Sequence, residues 1–246
     1  MAMGTNYGME IIKMTKKVAI LQSNYIPWKG YFDIINMVDE FILFDDMQYT
    51  KRDWRNRNII KTAAGLKWLT IPVDSKGKYT QRICDTKTSD PSWTEKHWNT
   101  LVHNYSKAAY FENYETQLKE LYTRCADEPF LSKINYEFIK FICDILNIPT
   151  RISWSMDYGV DESDSTLRLL RLCQEAGADH YLSGPAAKAY LDESVFEQHG
   201  VAISYMDYSG YKEYPQLFGS FEHGVTILDL IFNTGSMATQ YMRSFT

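Results

Sequence analysis

Cysteine is scarce and scattered. The four in 246 residues, Cys84, Cys125, Cys143 and Cys173, show no C-x-x-C spacing, which argues against a thiolate zinc site and against a compact disulfide framework. They read as buried thiols of a reducing cytoplasm. Prolines number only seven and charged residues make up 23%, so neither a disordered nor a fibrous chain fits. No run of about 18 apolar residues occurs, and the first residues, MAMGTNYGMEIIKMTKK, lack the apolar centre of a signal peptide. Neither a membrane span nor export is expected, and a cytoplasmic location is. Positive charge is in deficit: 26 Lys and Arg face 31 Asp and Glu, a net charge of −5. The basic footprint that nucleic acid requires is missing overall, so nucleic acid is not an expected partner. Also absent are the Gly-rich phosphate loops G-x-G-x-x-G and G-x-x-x-x-G-K-[ST], and the G-x-S-x-G of a serine nucleophile.

Aromatic residues, by contrast, are plentiful. Eighteen tyrosines exceed what a core needs, and their apolar body with a polar tip suits subunit interfaces, which would allow a homo-oligomer, or pockets for flat or sugar-like ligands. The length fits one large domain carrying a helical insertion. Apolar runs at Val18-Ala19-Ile20-Leu21 and Phe41-Ile42-Leu43-Phe44 each stop at a polar loop, with an amphipathic stretch between them. That is strand, loop, helix, strand, loop. Residues 66–73 read as a third strand ended by Pro72, and residues 51–58 as a loop with too little apolar periodicity for a core element. Three helices follow at about 92–106, 113–125 and 130–147, with Asn113 and the Ser132 region as capping candidates. Strands at 150–154, 180–184 and 201–206 then alternate with helices at 166–174, 186–191, 195–199 and 225–232. The fold class is α/β: an open, mostly parallel, Rossmann-like sheet with a helical insertion or cap. The divisions expected are 1–16, a ragged extension; 17–90, a first α/β half with the ligand loops; 91–149, the helical insertion; and 150–246, a second α/β half.

In such a sheet the loops at the carboxyl ends of neighbouring strands form the ligand crevice. After the first strand come Gln22, Asn24, Tyr25 and Trp28, then Gly30 opening a helix, whose free N–H groups favour an anion. These amides equally suit capping and bridging of the loop itself. After the second strand stand Asp45, Asp46 and Gln48. Two carboxylates here could hold Mg²⁺ with substrate phosphates or act as acid and base. Adjacent strand residues point to opposite faces, so at most one aspartate should enter a shared site while the other pairs with an arginine. A salt-bridged structural network fits them as well. Arg52, Arg55, Asn56, Arg57 and Lys61 follow, guanidiniums interleaved with Trp54 and amides, a mixture suited to phosphates or sugar acids. His97, lone on a helix and six residues before His103, is an outside candidate for proton transfer, although such a histidine is more often structural. Ser183, in Ser183-Gly184-Pro185, ends a later strand and could line the crevice or simply make a turn. The metal is left open, with Mg²⁺ and a nucleotide both admissible as cofactors, and the expected ligand is a phosphorylated or sugar-like small molecule.

The motifs Q-x-N-Y-x-P-W-x-G-Y-F at 22–32, F-x-L-F-D-D-x-Q-Y at 41–49, K-R-x-W-x-N-R-N-x-I-K at 51–61, W-L-T-I-P-V at 68–73, Y-L-S-G at 181–184 and Y-P-Q-L-F-G at 214–219 together resemble the WbqC-like family. Each is weak alone; together they are specific, and the likeness runs from about Val18 to the end. Members are associated with bacterial cell-surface polysaccharide gene clusters, including O-antigen clusters. The resemblance implies a cytoplasmic enzyme that makes or modifies an activated sugar, a transferase of acyl or aminoacyl groups to a nucleotide-linked sugar, or else a non-catalytic scaffold of that pathway. Many relatives carry a histidine before the first glutamine; here Leu21 stands there, and no role is carried to it. More distantly, the layout of the first 50 residues resembles adenylate-forming ligases of the pantothenate synthetase kind. Their H-x-G-H motif is missing, with Tyr25-x-x-Trp28 in its neighbourhood.

Overall fold

Apolar residues that fill consecutive positions of a strand can be satisfied only if both sheet faces are covered. A computed structural model, which describes residues 15–245, has that arrangement. Five parallel strands form one sheet in the order β5-β2-β1-β6-β7: β1 (Lys17–Leu21), β2 (Glu40–Leu43), β5 (Arg151–Trp154), β6 (His180–Ser183) and β7 (Ala202–Tyr205). In the register Ala19↔Phe41 and Ile20↔Ile42, side chains alternate between the faces. Ala19, Phe41 and Leu43 join the larger core with α1 (Lys29–Asn36), α2 (Trp93–Tyr105), α3 (Phe111–Cys125), α4 (Leu131–Leu146) and α7 (Ile227–Thr234). Val18, Ile20 and Ile42 point the other way, against α5 (Ser165–Glu175) and α6 (Glu193–Gln198). Numbered among themselves, the strands run 3-2-1-4-5, and the chain changes direction across the sheet between β1 and β6. That switch point opens a crevice beyond the strands' carboxyl ends.

The expected third strand does not join this sheet. Residues 57–62 and 65–70 instead pair antiparallel as a hairpin, β3 (Arg57–Thr62) and β4 (Gly65–Thr70), closed by Ala63-Ala64. The end of the supposed arginine loop is therefore strand. Ile60 and Leu69 enter the core while Leu66 and Trp68 stay exposed, so one face only is buried and the apolar signal is thin. The three insertion helices lie close to their expected spans, and they share the larger core with β1 and β2. Neither Asn113 nor Ser132 caps: α3 follows Tyr110 and α4 follows Phe130 without a side-chain cap, and Ser132 is spent on Asp45. Of the expected extension, residues 1–14 lie outside the described residues. Lys16, just before β1, is tied to the sheet, its N–H on Asp179 (3.0 Å) and its Nζ on the buried Glu40 (2.7 Å).

Candidate functional site

The β1–α1 loop must turn sharply and leave its polar groups paired, and three buried side chains see to it. Asp45, at the end of β2, accepts from the Ser23 N–H (2.7 Å) and from the Ser132 hydroxyl of α4. Asn135, also on α4, donates Nδ2 to Ser23 Oγ (3.0 Å) and to the Arg55 carbonyl (2.9 Å). Asn58 of β3 donates to the carbonyls of Tyr25 and Ile26, both at 3.0 Å. Ile26 needs this brace, because its φ of +36° is a conformation that β-branched residues avoid.

With the loop so fixed, a hollow of about 460 Å³ opens at the switch point. Gln22 and Asn24 come from the loop after β1, Phe44 and Met47 from the segment after β2, Ser183 and Tyr181 from β6, Ser163 from just before α5, and Ser165 and Arg168 from its first turn. Arg55 reaches in from the segment after β2, its Nη1 donating to Asn24 Oδ1. Arg168 donates Nη2 to Asp46, whose other oxygen accepts from Ser155 Oγ at 2.5 Å. Each arginine keeps a buried Nε–H with no acceptor.

The sequence candidates divide accordingly. Gln22, Asn24, Arg55 and Ser183 meet in this hollow. Asp46 touches it through Arg168, an arginine of α5 rather than of the basic run. Asp45 lies behind the loop, fully buried; burial raises its pKa despite the hydrogen bonds from Ser132 and Ser23 and the charge of Arg55. The two aspartates are thus committed to different partners, and among the described residues no three His, Cys, Asp or Glu side chains are grouped to hold a metal ion. Tyr25 and His97 are core residues, the Tyr25 hydroxyl bonding His97 Nδ1 (2.9 Å) and Tyr122 (2.7 Å) amid Trp93 and Phe138. Burial pushes His97 down to about 4, although a bond to the Thr70 carbonyl opposes it. Buried in the core and bonded at Nδ1 to Tyr25, His97 lies outside the hollow. Gln48 is exposed and tied to the Tyr79 carbonyl (2.6 Å), and Arg52 is exposed with φ +60°. Arg57 lies 4.0 Å over the Trp68 ring, and Asn56 holds the Ile71 carbonyl (2.8 Å). Lys61 is buried, bonding Gln216 (2.6 Å) beside Asp229, which also takes bonds from Tyr105 and Tyr214. The cluster expected to hold phosphates is therefore dispersed, and Arg55 is its member in the hollow.

Trp28 caps α1 and packs on Tyr208 (5.1 Å) and Tyr211 (5.6 Å). It walls a second cavity of about 290 Å³ with Asn24, Pro27, Trp54, Asn58 and Gly224. Sequence reasoning missed Arg168. Its signal is a cation at the end of a helix's first turn, where the helix dipole favours acids.

The sequence pattern of the WbqC-like protein family is matched over residues 22–241, which span both loops, the helical layer and α5. The chain belongs to the WbqC-like protein family. A relative in Mycobacterium tuberculosis (strain ATCC 25618 / H37Rv), the uncharacterized protein Rv1507c, is 50% identical over 228 residues, 93% of this chain and 98% of the relative. No solved structure matches. Among the described residues of this WbqC-like protein, no helix is long and apolar enough to cross a membrane.

Proposed function

We propose that this WbqC-like protein is a cytoplasmic transferase of bacterial surface-polysaccharide biosynthesis that passes an acyl or aminoacyl group to a nucleotide-linked sugar. One observation carries the binding half of this reading: Arg55 and Arg168 line one hollow at the switch point from separate walls. A diphosphate is the anion that two guanidiniums lining one hollow suit, since guanidinium binds phosphate in a forked geometry that lysine cannot offer. Gln22, Asn24 and Ser183 orient the ligand through amide and hydroxyl contacts. Asp46, bonded to Arg168, is the carboxylate placed to take a proton from the acceptor once phosphate engages that guanidinium. The pathway comes from the family's association with surface-polysaccharide clusters and not from the geometry.

A panel of nucleoside diphosphates and nucleotide sugars, screened by thermal shift, tests the reading. At least one should stabilise the protein, and Arg55→Ala and Arg168→Gln should each abolish the shift; no stabilisation by any member of the panel would defeat it. A scaffold role is favoured by one feature, the exposed Leu66 and Trp68 of the hairpin, since exposed apolar groups mark interaction surfaces. If Arg55→Ala with Asp46→Asn leaves polysaccharide normal in cells while Leu66→Ser with Trp68→Ser abolishes it, the scaffold role is correct.

A further inference from the structure

The two cavities meet at Asn24, which lines both. They differ in charge. The larger receives Arg55 and Arg168; the smaller is lined by Asn24, Pro27, Trp28, Trp54, Asn58 and Gly224, without a single ionisable side chain. Asn58 has no free hydrogen-bonding atom for a ligand there: its amide serves Tyr25 and Ile26 and its oxygen accepts from the Ile59 N–H. Asn24 gives its oxygen to Arg55, so its amide nitrogen is the side-chain donor available at the boundary.

Trp54 stands 41% exposed, an unusual position for so large an apolar ring. It is not loose. Its ring rests on Trp68 at 5.3 Å, Trp68 lies beneath the Arg57 guanidinium at 4.0 Å, and the Trp54 carbonyl accepts from the Tyr25 N–H at 3.0 Å. Trp28, the other wall, is packed on Tyr208 and Tyr211. Two indoles held in place beside a neutral cavity make a preformed stacking surface.

We propose that the tryptophan-walled cavity is a subsite for the neutral pyranose ring of a nucleotide-linked sugar, whose phosphates lie across Asn24 between Arg55 and Arg168. This inference rests on the function proposed above and specifies how the ligand lies. The C–H face of a pyranose stacks on indole, and its hydroxyls are met at the boundary by the Asn24 amide. Trp68 is a positioning residue that keeps Trp54 upright.

Calorimetric titration with UDP, dTDP and GDP, each beside its glucose, N-acetylglucosamine or mannose conjugate, tests it. For at least one pair the wild-type protein should bind the conjugate more tightly than the bare nucleotide. Trp54→Ala should weaken the conjugate roughly tenfold, to the level of the nucleotide, while leaving the nucleotide unchanged; Trp54→Phe should retain most of the affinity. Trp68→Ala should act in the same direction and be rescued by Trp68→Phe. Because Trp54 is 41% exposed and stands outside both apolar cores, Trp54→Ala should melt close to the wild type, which separates loss of stacking from loss of fold. If Trp54→Ala weakens nucleotide and conjugate alike, the base and not the sugar occupies the cavity and the inference is wrong. If nucleotides bind in an Arg55-dependent way but no sugar adds affinity, the subsite alone is refuted. Absence of binding by every probe overturns both the subsite and the proposed function.

Discussion

His97 is held neutral in the folded chain, its pKa brought from 6.5 to about 4 by burial. The unfolded chain protonates near 6.5, so stability is fully present above that value and is lost as pH falls through the interval down to about 4. The loss attached to this one group is about 3 kcal/mol. Urea denaturation at pH 7.5 and 4.5 should show it, and His97→Gln should flatten the slope. Asp45 and Asp229 act in the opposite sense, because burial raises both and a raised carboxyl favours the folded form at low pH. The difference between variant and wild type, rather than the raw curve, isolates the histidine. Asp45→Ala should destabilise by on the order of 3 kcal/mol, since it strips an acceptor from the buried Ser23 N–H and the Ser132 hydroxyl. Gln22, Asn24 and Ser183 could be picked out in the sequence because polar residues at the ends of apolar runs fall at strand ends, and Arg55 because it belongs to a run of guanidiniums interleaved with Trp54 and amides. Arg168 carries only the faint local signal of a cation in a helix's first turn, and its pairing with Asp46, 122 positions away, is announced by nothing local.

Within the elements, α1 depends on a missing side chain. A Cβ on Gly30 would come within 2.3 Å of the Trp28 ring, which is already confined by Tyr208 and Tyr211. Gly30→Ala should therefore cost about 1–3 kcal/mol and turn the Trp28 ring, a change visible as a shift in tryptophan emission. Asn58→Ala removes both bonds that brace Ile26 and should destabilise by roughly 1–3 kcal/mol, with faster hydrogen exchange in the β1–α1 loop. Strands β1 and β2 were readable because burial on both faces makes them near-continuous apolar runs, while β5, β6 and β7 mix in polar residues and were legible from their alternation with helices. The hairpin was not, since β3 mixes Arg57, Asn58 and Lys61 with two isoleucines and buries its polar Asn58 for a bracing role that composition does not reveal.

Across the whole molecule, the helices of 91–149 share one apolar core with α1, β2 and α7. Far-ultraviolet dichroism and tryptophan fluorescence should accordingly report coincident urea transitions, and a separate early transition for the helical layer would contradict this. The α/β class follows from the alternation of patterns along the chain, whereas the strand order and the dispersal of the basic run depend on contacts between distant segments. The β1–α1 loop is gripped by Asp45, Asn135 and Asn58 at once, and Ile227 fastens Pro27 through its N–H at 2.9 Å. A mouth clamped at that many points cannot reshape itself around a guest. It works as a mould: incoming molecules are sorted at first encounter by whether they fit, little entropy is forfeited in ordering the walls, and the empty and filled forms should superimpose.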